Sequence, residues 1–271
     1  MSTILITGAS SGIGKATARF FADKGWNVIA TMRSPEKETE LTGQENIEVI
    51  KLDVENRNEI HEAINSGIAR FGRIDILLNN AGYGTMGVFE AATEEQLQKQ
   101  FSVNVFGIFA ATRAILPHFR ANKSGIIINV SSMGGKITFP NGSLYHSTKF
   151  AIEGFTEGVY YELASQNIKV KIIEPGAIAT DFMSRSMDHL VDESLTDYKE
   201  YLDNMNRKLL TMFAGNNFTQ AEEVAAVIYQ AATDDSDQLR YVIGEDARSA
   251  IEMRNQAGDE AYVKNTAQMF V

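Results

Sequence analysis

Apolar residues recur along this chain in two rhythms: short unbroken runs, and longer stretches where they return every three or four positions. The runs Thr3 to Thr7, Trp26 to Thr31, Ile47 to Leu52, Ile74 to Gly82, Gly125 to Ser131, Ile168 to Ile173 and Leu239 to Ile243 predict strands. The helical rhythm fills the gaps. It runs from the turn after Thr7 to a stop at Gly25, from about Glu55 to Phe71, from about Thr93 to Phe119, through Tyr145 to about Ser165, and from Gln220 to Ala232, with helices at the end. Strands alternating with helices imply an α/β fold in which right-handed crossovers build a doubly wound parallel sheet of about seven strands. One stretch breaks the alternation. From Phe182 to about Phe213 come Met183, Met187, Met205 and Met212 with Tyr198, Tyr201 and the acids Asp188, Asp192, Glu193 and Asp197. It predicts a helical insertion spanning about 182–215. Either it is an apolar lid over a substrate pocket, or it packs as ordinary core or against another subunit.

Composition narrows the classes. At 271 residues, 44% hydrophobic and 22% charged, the chain suits one large domain, 1–271, with a full core. A net charge of -10 argues against nucleic acid and anionic membrane surfaces, which need clustered Lys and Arg. With no cysteine there are no disulfides, thiolate metal sites or Cys nucleophile. His61, His118, His146 and His189 lack ligand spacing, so no metal site is expected. The N-terminus lacks the basic flank and cleavage pattern of a signal peptide, and no apolar stretch is long enough to span a bilayer. A soluble, cytoplasmic protein is expected.

Candidate chemistry sits where strands end. Gly8, Gly12 and Gly14 lie between a strand and a helix, with Ser10, Ser11 and Ile13 among them. Such a turn lets the backbone approach a pyrophosphate, whose charge the helix N-terminus stabilises. The spacing is G-x-x-x-G-x-G, and a mere loop is the competing reading. After the second strand, the position suited to an acid that holds a ribose hydroxyl is Met32, followed by Arg33, with Lys15 near the turn. An Arg there accommodates a 2′-phosphate, so NADP(H) is favoured over NAD(H). Asp53 with Val54 could meet the adenine, and Asn79 and Asn80 are strand-end hydrogen-bonders, cofactor floor or both. Asn104 lies inside a long helix, where a core-facing Asn needs a reason such as a local kink holding water. Pro175-Gly176 turns the chain at a strand's carboxyl end, where open α/β sheets bind ligands.

Tyr145 and Lys149 stand four residues apart, on one face of a helix. Bringing a phenol from its ordinary pKa of about 10 to neutrality takes roughly 4 kcal/mol. An ammonium about 4 Å away, at an effective dielectric near 20, supplies about that much. Tyr145 is therefore a candidate general acid/base.

TGASSGIG at 7–14, NNAG at 79–82, Asn104, Ser132, Tyr145-x-x-x-Lys149 and PGAIAT at 175–180 occur in that order. This set resembles the short-chain dehydrogenase/reductase family, in its shorter non-extended branch, from about Thr3 to Thr180. The resemblance implies a Rossmann-type domain, a nicotinamide cofactor and a homodimer or homotetramer. It also implies roles. Ser132 would bind the substrate carbonyl oxygen, Tyr145 would move the proton, Lys149 would lower the Tyr145 pKa and hold the nicotinamide ribose, and Asn104 would place a water. Asn80, Ala81 and Gly82 would line the cofactor, Asp53 and Val54 would meet the adenine, and Ile178 and Thr180 beside Pro175 and Gly176 would contact the carboxamide. His146 departs from the small residues common after the Tyr, which puts local packing in question. The expected activity is NADP(H)-dependent interconversion of a carbonyl and an alcohol on an apolar substrate, judging from Phe139, Met183, Met187 and Met212. The alternatives are a non-catalytic nucleotide sensor and an epimerase or dehydratase of the extended branch.

Overall fold

All seven predicted runs form strands of one parallel sheet: β1 (Thr3–Thr7), β2 (Asn27–Met32), β3 (Ile47–Lys51), β4 (Ile76–Asn79), β5 (Gly125–Val130), β6 (Ile168–Pro175) and β7 (Arg240–Ile243). Their spatial order is β7-β6-β5-β4-β1-β2-β3. The computed structural model describes residues 1–180, 186–213 and 218–270, apart from the side chains of residues 209, 210, 212 and 213. The helices are α1 (Gly12–Asp23), α2 (Arg57–Phe71), α3 (Glu94–Phe101), α4 (Gly107–Asn122), α5 (Ser143–Ala164), α6 (Lys199–Phe213), α7 (Ala221–Thr233), α8 (Glu245–Ala257) and α9 (Asp259–Phe270). This is a single Rossmann-type domain.

Successive strand side chains point to opposite faces, and the two faces bury different partners. In β1, Ile4 and Ile6 join Phe21 of α1 and Val224 and Ile228 of α7, whereas Leu5 joins Ile60 of α2, Ile115 of α4 and Leu163 of α5. Continuous apolar runs are what a sheet covered on both faces requires.

Two expectations need correcting. The helix expected from Thr93 to Phe119 is three pieces: α3, a π-helical turn at Ser102–Phe106, and α4, which continues to Asn122. The kink anticipated at Asn104 is that π turn. The insertion expected to be helical is mixed: among the described residues Met187–Leu190 is a strand, paired in parallel with Gly84–Gly87, and the helical pieces are a short turn at Thr196–Tyr198 and α6. The backbone after β4 offers an edge for that pairing, with Gly84 N donating to Ser186 O at 2.8 Å. Side chains fasten it further: Gln96 Nε2 donates to Asp188 Oδ2 at 3.1 Å and Tyr198 OH to Glu90 Oε2 at 2.9 Å. Phe182 and Met183 lie outside the described residues, as does the Met212 side chain. No helix among the described residues is long and apolar enough to cross a membrane.

Candidate active site

The strand order reverses between β1 and β4, which opens a crevice at their carboxyl ends. Thr7, the last residue of β1, joins the two sides: its Oγ1 accepts from Asn80 N at 3.0 Å and Ala81 N at 3.1 Å. Asn80 Nδ2 donates in return to Thr7 O at 3.0 Å and Gly8 O at 2.9 Å. The glycine turn is packed against this floor. A Cβ on Gly14 would stand 2.2 Å from Gly8 O and 2.5 Å from Asn80 Nδ2, so a side chain there would displace backbone. Ser11 precedes α1 in extended conformation and makes no side-chain cap, leaving the first N–H groups of the helix to an anion. Across the turn, the Thr180 methyl is 3.5 Å from where a Cβ on Gly12 would be. The loop after β6 is held there by Asp246 of α8, whose Oδ2 accepts from Ala177 N at 2.7 Å, and by pairing of Ile178 with Thr219. These contacts place Gly8 to Gly14, Asn80 to Gly82 and Pro175 to Thr180 around one crevice.

The other candidate cofactor residues divide. Arg33 and Asp53 line a cavity of about 460 Å³ with Lys51, Asn56 and Arg57. Arg33 is exposed and makes no ion pair among the described residues. Lys15 is committed elsewhere, with Nζ 3.2 Å from Glu38 Oε2 and 2.8 Å from Glu40 Oε1, so it is not a second cation beside Arg33. The Val54 side chain turns inward and packs where Gly107 lacks a Cβ, which leaves only its backbone to face an adenine.

Ser132, Tyr145 and Lys149 converge. Ser132 follows β5 and its Oγ accepts from Gly134 N at 3.0 Å. The Tyr145 hydroxyl is hydrogen-bonded with Ser132, and burial pushes the phenol pKa up while that bond opposes the rise. Lys149 places Nζ 5.6 Å from the Tyr145 ring centroid and donates to Val130 O at 3.0 Å. Burial lowers its pKa to about 8, against the charge of Glu153. The phenol is thus not lowered as the sequence argument expected. Removing a phenolate from water outweighs an ammonium directed at a carbonyl.

Asn104 supports this group from behind. Its Nδ2 donates to Tyr83 O at 2.8 Å and to Thr148 Oγ1 at 3.2 Å, and its Oδ1 accepts from Tyr83 N at 3.0 Å. Both amide hydrogens are spent on protein, so the side chain fixes the segment after Gly82. His146 answers the packing question. A Cβ on Gly134 would lie 2.9 Å from its Nδ1, so the loop makes room for the ring. Nδ1–H donates to Gly134 O at 2.9 Å and Nε2 accepts from Phe139 N at 3.2 Å. Burial lowers the imidazole pKa, and the neutral ring ties the Ser132 loop to α5. Phe139 packs edge-on against that ring, at 4.3 Å between centroids.

Sequence reasoning passed over Thr7, Thr148, His146 as a tie, and Asp246. Thr7 and Thr148 stand within quoted motifs and were open to notice. Asp246 lies 69 residues from its partner, with no local signal.

A glycine turn in a strand-order crevice, with Tyr145 and a buried Lys149 one helical turn apart, defines a dinucleotide-binding enzyme of Rossmann type. The chain belongs to the short-chain dehydrogenase family, whose model matches residues 2–190, and is an oxidoreductase of that family. It is 42% identical over 234 residues to an uncharacterized oxidoreductase of Schizosaccharomyces pombe, covering 86% of this chain and 96% of that one. A short-chain dehydrogenase from Streptomyces avermitilis superposes with a TM-score of 0.84 at 35% identity, covering 94% of this chain and 92% of that one. A serine dehydrogenase complexed with NADP+ gives 0.75 at 28% identity, covering 88% and 94% respectively. A dinucleotide fits the residues present: the glycine cradle that a Cβ would fill, the uncapped α1 N-terminus and the closing Thr180 loop.

Proposed function

We propose that this protein is an NADP(H)-dependent oxidoreductase interconverting a ketone or aldehyde and an alcohol, with Tyr145 as general acid/base. The observation that carries this reading is the hydrogen-bonded Ser132–Tyr145 pair with the Lys149 ammonium one helical turn away. Bound in the crevice, a reduced nicotinamide supplies the hydride. A substrate oxygen held by the Ser132 and Tyr145 hydroxyls would have the charge that develops on it stabilised by both. Tyr145, kept protonated by burial, donates its proton to that oxygen in the reducing direction. Lys149, with a pKa of about 8, is mostly cationic at neutral pH and stabilises the phenolate left behind. Asn104 and His146 hold the two sides of the site in register.

Arg33 supports the preference for NADP(H), because it is an exposed, unpaired guanidinium at the end of β2. The half-buried Met187, beside the segment after Gly82, supports an apolar substrate. Met205 of α6 is wholly buried, which supports a lid held down rather than free in solvent. The test is NADPH and NADH consumption over a panel of acyl ketones, steroids, sugars and retinoid-like aldehydes, with Arg33→Ala alongside the parent. Loss of one charged hydrogen bond, about 1.5 to 3 kcal/mol, weakens NADPH about ten- to a hundredfold and NADH much less. Equal loss for both cofactors refutes the 2′-phosphate contact.

A further inference from the structure

Beneath the site lie two glutamates with no part in the chemistry above. Glu153 follows Lys149 by four residues on α5, and so shares its face of the helix. Glu174 rises from the end of β6. They are 5% and 1% exposed. Arg240 of β7 serves both, with Nε 3.0 Å from Glu153 Oε2 and 3.0 Å from Glu174 Oε1. One N–H cannot satisfy two carboxylates. It is directed at Glu153, while another arm of the guanidinium donates to Glu157 Oε1 at 2.6 Å. Glu153 Oε1 and Glu174 Oε1 are therefore buried without a donor, although the two carboxyl groups are within hydrogen-bonding contact of each other. Ser131 Oγ, next in sequence to Ser132, is also buried without a partner. It sits 2.7 Å from the position a Cβ on Gly135 would take, and Glu153 Cγ is 2.9 Å from that same point.

Two touching carboxylates cannot both stay charged out of water, whereas one proton between them converts repulsion into a short O–H···O⁻ bond. We propose that Glu153 and Glu174 hold one proton in common and, by the charge left when it is released, keep Lys149 protonated. Both are then positioning residues for the Tyr145–Lys149 pair, a last step that rests on the proton chemistry proposed for Tyr145. Burial and the Glu153 charge push the Glu174 carboxyl up to about 7, against Arg240 and Lys136. The groups facing it are Glu153 of α5, Arg240 of β7 and Lys136 of the loop after β5, and Lys149 faces Glu153 from one turn away. The sign follows. Above about pH 7 the pair passes from one negative charge to two, just below the pH at which Lys149, at about 8, loses its own proton. The added charge holds that proton longer.

NMR titration of side-chain-labelled full-length protein tests this without any variant: one glutamate carboxyl is expected to titrate near neutrality. Its signal vanishes in Glu174→Gln and moves toward the ordinary carboxylate range in Glu153→Gln. The Lys149 Nζ resonance, assigned with Lys149→Arg, titrates about one pH unit lower in either glutamine variant. The alkaline limb of kcat/KM moves with it, and NADPH affinity does not. The proposal is overturned if every glutamate carboxyl titrates below about pH 6. It is equally overturned if Lys149 titrates unchanged in both variants. A carboxyl titrating near neutrality in a protein whose Tyr145→Phe variant is fully active supports the shared proton and overturns only the chemistry assigned to Tyr145.

Discussion

Lys171 on β6 and Lys149 on α5 are both buried beside a tyrosine ring, with Nζ 5.3 Å from the Tyr241 centroid and 5.6 Å from the Tyr145 centroid. Their remaining partners differ. Lys171 Nζ donates to Asp234 Oδ1 at 2.6 Å and Tyr241 OH at 3.0 Å, and Tyr241 OH donates to Asp234 Oδ2 at 2.6 Å. Although burial opposes it, hydrogen bonds from Lys171, Tyr241 and Ser236 hold the Asp234 carboxyl well below the usual carboxylate range. Lys149 has a backbone carbonyl as its hydrogen-bond acceptor and a carboxylate only one helical turn away. The first pair is satisfied by its hydrogen bonds, so it holds β6, β7 and the turn after α7 together. The second is under-satisfied, and burial brings its lysine toward neutrality, where a proton can move. The same two residue types, at nearly the same separation, serve structure in one place and chemistry in the other. The counter-ion decides which.

Methionine substitutions break this comparison most sharply. Lys149→Met is expected to lower kcat about a hundredfold or more, whereas Lys171→Met leaves kcat of the folded protein within about threefold. Stability is expected to run the opposite way. Lys171→Met leaves Asp234 without its cation and costs about 3 kcal/mol in urea denaturation. Lys149→Met removes an ammonium that burial brings from 10.5 to about 8, and raises stability at pH 7 by about 1 to 2 kcal/mol after the loss of the Val130 hydrogen bond.

The pH dependence gives a second contrast. Between about 8 and 10.5 the unfolded chain holds the Lys149 proton and the native state does not, so stability from this group rises with pH over that window. In Lys149→Met that rise disappears. Asp234 contributes stability above its unfolded pKa, and this is lost as pH falls through its depressed native value, so Asp234→Asn flattens the acid limb. The smallest effect belongs to Tyr241→Phe, which removes one hydroxyl of the satisfied group. It costs about 1 kcal/mol by thermal or urea denaturation and leaves turnover unchanged.

What could be read from the sequence follows the same division. Tyr145 and Lys149 are neighbours on one helix, so their spacing alone puts them together. The inner strands were legible because they are buried on both faces and read as apolar runs, and the partly exposed edge strands β3 and β7 still carry enough apolar residues to show. Lys171 meets its partners 63 and 70 residues away, and Glu153 meets Arg240 across 87, which no local pattern reports. Met187–Leu190 forms a strand only because Gly84–Gly87 presents an edge to it, and neither segment has the β-branched content of the main strands. Asn104 signalled an irregularity without its kind. The direction of the Tyr145 pKa was missed because the Coulomb attraction was counted without the desolvation of a buried phenolate.

The central claim is that Tyr145 moves the proton while the rest of the site binds and aligns. It is tested most directly by Tyr145→Phe, measured for NADPH affinity and for carbonyl reduction on the same preparation. The predicted result is affinity within about threefold of the parent and kcat/KM lower by about a thousandfold, the range of a lost general acid. A Tyr145→Phe protein that binds NADPH normally and reduces the carbonyl as fast as the parent would contradict the account.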